Sequence, residues 1–286
     1  MAVVNTNVNA SVAQNALVRN ERSMNTAMER LSTGQRINSA SDDAAGLAIS
    51  SRMTSQIRGL ETAVRNANDG ISMIQTADGA LIEVGNMLQR MRELALQASN
   101  GTTTSNDRAY LNTEYQNLVT EIQRIATNTQ WNGGAILNGT ASAVAFQVGA
   151  NGGQTVSVNF GNFIASGTTF SSMQATASGA GHSLSSTTTT AALTTASAAI
   201  TKIDTAITDV NTQRATFGAA INQLSYAVDN LSNIKVNSEA ARSRIADTDY
   251  ANETSELART QIIQQAGTAM LAQANQLPQT VLALLR

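Results

Sequence analysis

Residues 200–231 read ITKIDTAITDVNTQRATFGAAINQLSYAVDNL, and their apolar positions advance in steps of three and four. Ile200, Ile203, Ile207, Val210, Phe217, Ile221, Leu224, Val228 and Leu231 keep the step, and Arg214 alone breaks it. A helix built this way offers one narrow apolar edge and packs edge to edge against a helix of the same kind. An ordinary amphipathic helix would drift out of this register over such a length. The sole proline, Pro278, lies far downstream, so long helices meet no ring to break them.

A matching edge precedes it. Ile57, Leu60, Val64, Ala67, Ile71 and Ile74 keep the same alternation, and Leu81 and Leu88 continue it. Asp78, Gly85 and Arg92 fall on other seam positions, so this helix packs less uniformly. Leu111, Tyr115, Leu118, Ile122 and Ile125 mark a third helix. Between the second and third, residues 99–107 read SNGTTTSND. Gly101 is expected to end one helix and Ser105 or Asn106 to cap the next. Three compatible seams predict an elongated bundle. Its expected core is Ile57, Leu60, Val64, Ile71, Ile203, Ile207, Val210, Ile221, Leu224 and Val228.

The chain ends carry thinner stripes. Val4, Val8, Leu17, Met24, Met28 and Leu31 form one. Ile263, Ala266, Met270, Ala274, Leu277, Val281 and Leu284 form a denser one. An isolated helix with so little apolar area is marginal in water. Both ends are therefore expected to be poorly ordered alone and to fold against partners.

The middle changes period. Val144, Phe146 and Val148 alternate, residues 149–153 read GANGG, and Val156, Val158 and Phe160 alternate again. This predicts a β-hairpin within about 135–165. The Ser/Thr-rich residues from about 165 to 199 read as a surface loop holding at most one short element. The expected fold is thus mainly α: an elongated coiled-coil-like bundle drawn from both chain ends, with a β-hairpin region between. Residues 1–44 with 245–286 are expected to form a terminal-helix domain, and 45–244 the bundle.

Composition narrows the chemistry. The 286 residues are 42% hydrophobic but 3% aromatic, so the core rests on Ala, Val, Ile, Leu and Met. Charged residues are 13%, about half the usual share, leaving a surface of Asn, Gln, Ser and Thr that tolerates dense assembly. A net charge of −2 gives no pull toward nucleic acid or anionic lipid. There is no cysteine, and the one histidine, His182, lies in a Gly/Ser/Thr-rich stretch where solvation is its expected state. A zinc site of the His-Glu-x-x-His kind cannot be assembled from a single histidine. Lys202 and Lys235 are the only lysines and neither follows a phosphate-binding glycine loop. We expect no catalytic residues, no metal and no cofactor. The N-terminus has neither a basic nor an apolar signal region, and no run approaches a membrane span of ~20 apolar residues. No membrane insertion is expected.

Several long stretches resemble one family. LSTGQRINSASDDAAGLAIS at 31–50 resembles the N-terminal signature of bacterial flagellins, and QRMRELALQ at 89–97 the segment that follows. SRIADTDY at 243–250 and AQANQLPQTVLALLR at 272–286 resemble the C-terminal end. The likeness covers about the first 130 and last 90 residues. It implies a structural subunit that polymerises into the extracellular flagellar filament of swimming bacteria. The paired chain ends would form the filament's inner tube, with Leu17, Met24, Met28, Leu31, Ile263, Met270, Leu277 and Val281 in its contacts. It also implies export without a cleavable signal, through the flagellar export apparatus with a secretion chaperone. Hook-junction and cap proteins would be further partners. Arg90, Leu94 and Glu114 match positions bound by the Toll-like flagellin receptor of animals, or serve as a protofilament face. Leu282, Leu284 and Leu285 resemble the segment read by cytosolic flagellin sensors. The alternatives are a hook–filament junction protein and a non-polymerising coiled-coil adhesin. Some details stay open at this point. Asp42 and Asp43 suit a helix cap or an intersubunit pair with Arg36 or Arg52. Pro278 either starts or kinks a helix, and residues 168–195 suit O-linked glycans or a plain loop.

Overall fold

The computed structural model of the chain describes residues 7–141, 143–164, 184 and 189–284, the side chains of 189–193 and 277–284 excepted. Helices α1 (Val8–Thr33), α2 (Ala44–Ala98) and α3 (Ser105–Asn128) come first. Strands β1 (Gln130–Trp131), β2 (Gly134–Ala135), β3 (Val144–Gln147) and β4 (Thr155–Val158) follow. Helices α4 (Thr189–Ala246) and α5 (Tyr250–Leu284) complete the chain. The mainly helical fold with a mid-chain hairpin is therefore present. Pro278 falls within the span of α5. The chain forms two compact units, one of residues 1–57 with 236–286 and one of 58–235, and α2 and α4 contribute to both.

In the unit of residues 58–235, the seams read from sequence supply the core. Ile203, Val210 and Leu224 are buried, with Ile71, Ile207, Ile221 and Val228 partly buried against them, while Leu60 and Val64 join Leu231 in a smaller second cluster. The core is broader than a single seam on each helix. Ala77, Val84, Met91, Leu94 and Ala98 add a second buried row on α2. The polar seam positions pair across α2 and α4. Arg214 Nε donates to Asp78 at 2.8 Å, Arg92 Nε to Asp204 at 2.6 Å, and Lys235 lies 2.7 Å from Glu61. Partner numbers rise on one helix as they fall on the other, which fixes an antiparallel register.

The turn from α2 to α3 differs from expectation by one residue. Thr104, not Ser105 or Asn106, caps α3 through a capping box. Its hydroxyl accepts from Asp107 N at 3.3 Å, and Asp107 accepts from Thr104 N at 3.0 Å. Both orphan donors are satisfied at once, and neither Ser105 nor Asn106 could do this because Arg108 and Ala109, not an acid, stand three positions on. Arg108 then closes the turn from inside. It is buried, and its guanidinium donates to the carbonyls of Ala98 at 3.1 Å and Asn100 at 3.2 Å. Those carbonyls mark the negative end of α2, which stabilises the cation.

Strands β3 and β4 pair antiparallel, with Val144 opposite Val158 and Phe146 opposite Val156. The hairpin seats on α2 at glycines. A Cβ on Gly70 would lie 2.9 Å from the Phe146 ring, and one on Gly59 3.1 Å from Ala150. Its exit packs on α4, where Phe160 and Phe217 meet at 5.4 Å. A smaller ladder, β1 with β2, was not legible in the sequence pattern. It turns on Asn132 and Gly133, both at positive φ, as a two-residue hairpin requires.

Helix α4 begins at Thr189, so residues 189–199 are helical rather than loop. Buried Ala196 and Ala199 extend the seam upstream in residues too small to register as an apolar stripe. Leu184 is buried, and its N–H donates to Asn112 Oδ1 at 2.9 Å. The rest of the Ser/Thr-rich stretch before residue 189, His182 included, lies outside the described residues.

Candidate functional site

The unit of residues 1–57 with 236–286 is built on α1 against α5. The inward positions of α1 are Ala10, Ala13, Leu17, Asn20, Met24, Ala27 and Leu31. Those of α5 are Glu253, Leu257, Thr260, Gln264, Gly267, Leu271 and Ala274. Each set keeps an unbroken alternation of threes and fours, the pattern of a two-helix seam. Its chemistry is mixed. Asn20 is buried and its amide donates to Thr260 O at 2.7 Å and Gln264 Oε1 at 3.1 Å. Leu17 fills the gap above Gly267, where a Cβ would lie 2.5 Å from its methyl. Asn7 caps α1 and donates to Ala274 O at 2.8 Å. Arg30 and Glu253 approach to 3.6 Å.

The apolar stripe read from the C-terminal sequence meets this seam, among its residues with described side chains, at Ala274 alone. Ile263 and Met270 are 42% and 67% exposed, one position off the seam that faces α1. On α1, Val8, Val12, Val18 and Met28 are likewise exposed. Val12, Leu17, Ile263 and Met270 line an open groove of about 340 Å³. Of the residues singled out in the terminal stripes, Leu17, Met24 and Leu31 thus face the chain's own α5. Met28, Ile263 and Met270 face outward. Side chains of Leu277, Val281, Leu282, Leu284 and Leu285 lie outside the described residues. Asn20, Thr260, Gln264 and Gly267 were missed because they are polar or lack a side chain. Their shared spacing was the available signal, and a stripe defined by hydrophobicity cannot see it.

The ends of four helices meet at one place in the same unit. Gly34 ends α1 in the left-handed region at φ 71°, and Arg36 N donates to Ala246 O at 2.7 Å. Thr248 N returns a bond to Gly34 O at 3.0 Å. Asp43 Oδ1 accepts from Gly46 N at 2.8 Å, so it caps α2. Asp42 accepts from the N–H groups of Ser39 and Asn38, which hold its carboxyl below the usual range, the Ser39 bond foremost. Both acids serve local caps and turns within the chain. Arg36 lies 3.9 Å from Asp43.

Arg90, Leu94 and Glu114 belong to the other unit. Arg90 Nε donates to Glu114 at 2.8 Å and Nη1 to Glu93 at 3.0 Å. The Glu114 bond, then Glu93, raises the Arg90 pKa. Leu94 does not share this surface. It is 1% exposed and sits in the core, because position 94 falls on the second buried row of α2. Among the described residues, no group of His, Cys, Asp and Glu is arranged to hold a metal, and no helix is long and apolar enough to cross a membrane.

Comparison with known proteins completes the picture. Residues 4–142 match the bacterial flagellin N-terminal helical region and residues 200–285 the bacterial flagellin C-terminal helical region. The chain is 46% identical to a flagellin of Halalkalibacterium halodurans, over 99% of this chain and 100% of that protein. It is 42% identical to a flagellin of Xenorhabdus nematophila, over 100% of this chain and 99% of the other. The crystal structure of Bacillus cereus flagellin is similar at 35% identity and a TM-score of 0.49, covering 58% of this chain and 88% of that one.

Proposed function

Because the chain belongs to the bacterial flagellin family, a family of structural proteins, we propose how its own residues drive assembly. The protein is a subunit that polymerises into the flagellar filament, the extracellular structure of its relatives. The hook–filament junction reading is not favoured, since full-length relatives are flagellins.

The observation that carries the assembly reading is the division of labour on α5. One edge, through Thr260, Gln264 and Gly267, closes against α1. The neighbouring edge, through Ile263 and Met270, is apolar and exposed in the single chain. Burying a side chain of that size against another subunit contributes roughly 1.5–3 kcal/mol each before ordering costs. Residues 1–44 with 245–286 are the inner-tube domain, and 45–244 the helical bundle with its β-hairpin. Met28, Ile263 and Met270 meet neighbouring copies, together with Leu277 and Val281 further along. Leu17, Met24 and Leu31 hold the pair together within each subunit. An open head-to-tail contact of this kind yields a helix of subunits rather than a closed ring.

The subunit leaves the cell through the flagellar export apparatus with a secretion chaperone. It is then placed between the hook-junction proteins and the cap. The exposed Arg90–Glu114 pair serves first as a protofilament contact face, and in the free monomer as a face read by the Toll-like flagellin receptor, with Leu94 supporting it from beneath. Leu282, Leu284 and Leu285 form the segment read by cytosolic sensors.

The test is the double substitution Ile263→Asp with Met270→Asp. The expected result is an unchanged urea midpoint and circular dichroism spectrum, with salt-induced filaments lost in electron micrographs. Filaments of normal length from that variant would sink the reading.

A further inference from the structure

We infer that the crossing of residues 34–37 with residues 245–248 is a latch that sets the register of α1 on α5, with Arg36 as its positioning residue. The inference does not rest on the assembly reading, since it concerns one chain alone.

Beyond Asn20 and the Leu17–Gly267 contact, the seam between α1 and α5 carries little that fixes its register. Its facing positions are mostly small or polar, with Asn20, Thr260, Gln264 and Gly267 at the centre. A slide of seven residues would still put one heptad edge on the other. The crossing is specified far more tightly. Arg36 N donates to Ala246 O at 2.7 Å, and Thr248 N to Gly34 O at 3.0 Å, bracketing the antiparallel bridge of Gln35 with Asp247. The Arg36 guanidinium adds Nε at 3.2 Å and Nη2 at 2.8 Å to the carbonyl of Ile245. That carbonyl lies in the last turn of α4, where carbonyls lack helical partners and a cation is favoured. Tyr250, the first residue of α5, lays its hydroxyl over Gly34, where a Cβ would be 2.9 Å away. The end of α1 and the start of α5 are thereby keyed to each other within one residue. Everything further along inherits that alignment: Arg30 with Glu253, Asn20 with Thr260, Leu17 with Gly267, and Asn7 with Ala274.

The chain has no cysteine, so engineered cysteine pairs report register cleanly. Leu17→Cys with Gly267→Cys samples the observed register, and Ala10→Cys with Gly267→Cys a register slid by one heptad. Monomer is oxidised under dilute conditions and the intramolecular cross-link counted on gels, in the parent, Arg36→Met, Gly34→Ala and Asn20→Leu backgrounds. The parent should favour the first pair. Arg36→Met should reduce that preference roughly tenfold, the ratio expected for losing bonds from one charged donor, and Gly34→Ala should reduce it through a strained positive φ and a Cβ against the Tyr250 hydroxyl. Asn20→Leu should keep it. Circular dichroism of each variant checks that the helices survive. An unchanged preference in both Arg36→Met and Gly34→Ala would overturn the latch. So would scrambling by Asn20→Leu alone, or no preference in the parent, either of which would leave the crossing without a role in register. Filament formation is not read, so failure of the assembly reading would leave this result standing.

Discussion

Arg214, the one charge that interrupts the α4 seam, and Asp78, a charge that interrupts the α2 seam, meet each other at 2.8 Å. Each interruption is the complement of the other, so the pair marks one axial position where α2 and α4 must align. Their side chains remain 39% and 32% exposed, so solvent screens much of the attraction. A double-mutant cycle with Asp78→Ala and Arg214→Ala, followed by urea unfolding, should give a coupling of about 1 kcal/mol.

The glycines of α2 should separate into two classes. Gly70→Ala would press a methyl to 2.9 Å from the Phe146 ring, and unfolding should show a loss of about 1–3 kcal/mol. Gly79→Ala meets nothing within 4 Å and should stabilise by about 0.5–1 kcal/mol. Equal effects at both sites would contradict the seating of the hairpin on α2.

The α2–α3 turn should be sensitive at two residues for different reasons. Thr104→Ala removes the box that starts α3 and should cost about 1 kcal/mol. Arg108→Met strands the carbonyls of Ala98 and Asn100 and should cost about 2–4 kcal/mol in the same unfolding assay.

Alkali should unfold the protein partly through Tyr115. Burial pushes this phenol up to about 12 from its ordinary value of 10.0. The unfolded chain therefore releases the proton first, and stability falls as pH rises from the unfolded value through the folded one. The fall attributable to this group is about 2–3 kcal/mol. Tyr115→Phe should abolish that step in a pH series of urea midpoints.

Most of the bundle was legible because large apolar residues at Ile203, Val210, Leu224 and Leu60 report their own spacing. What escaped lay where spacing is carried by residues that hydropathy does not register. Ala196 and Ala199 extend α4 upstream, and Gly267 and Thr260 sit at the centre of the terminal seam. Leu94 was placed on the surface because Arg90 sits one turn away, yet a helix with two buried rows takes position 94 inside. Asn132 and Gly133 form a hairpin too short to show alternation. The caps were nearly right, since Asp43 behaves as an acid before a helix should, while Thr104 required weighing which residue has an acid three positions on. The crossing at Arg36 joins segments remote in sequence, and no local pattern announces such a meeting.

The seam of α1 with α5 sets Leu17, Met24, Leu31, Leu257 and Leu271 around a centre of asparagine, threonine, glutamine and glycine, and that mixture bears on colloidal behaviour. When this pair opens, those leucines and the methionine are wetted beside Ile263 and Met270, which face water already. The open subunit is therefore the stickier form. A stock of subunits resists amorphous clumping best while its ends stay paired.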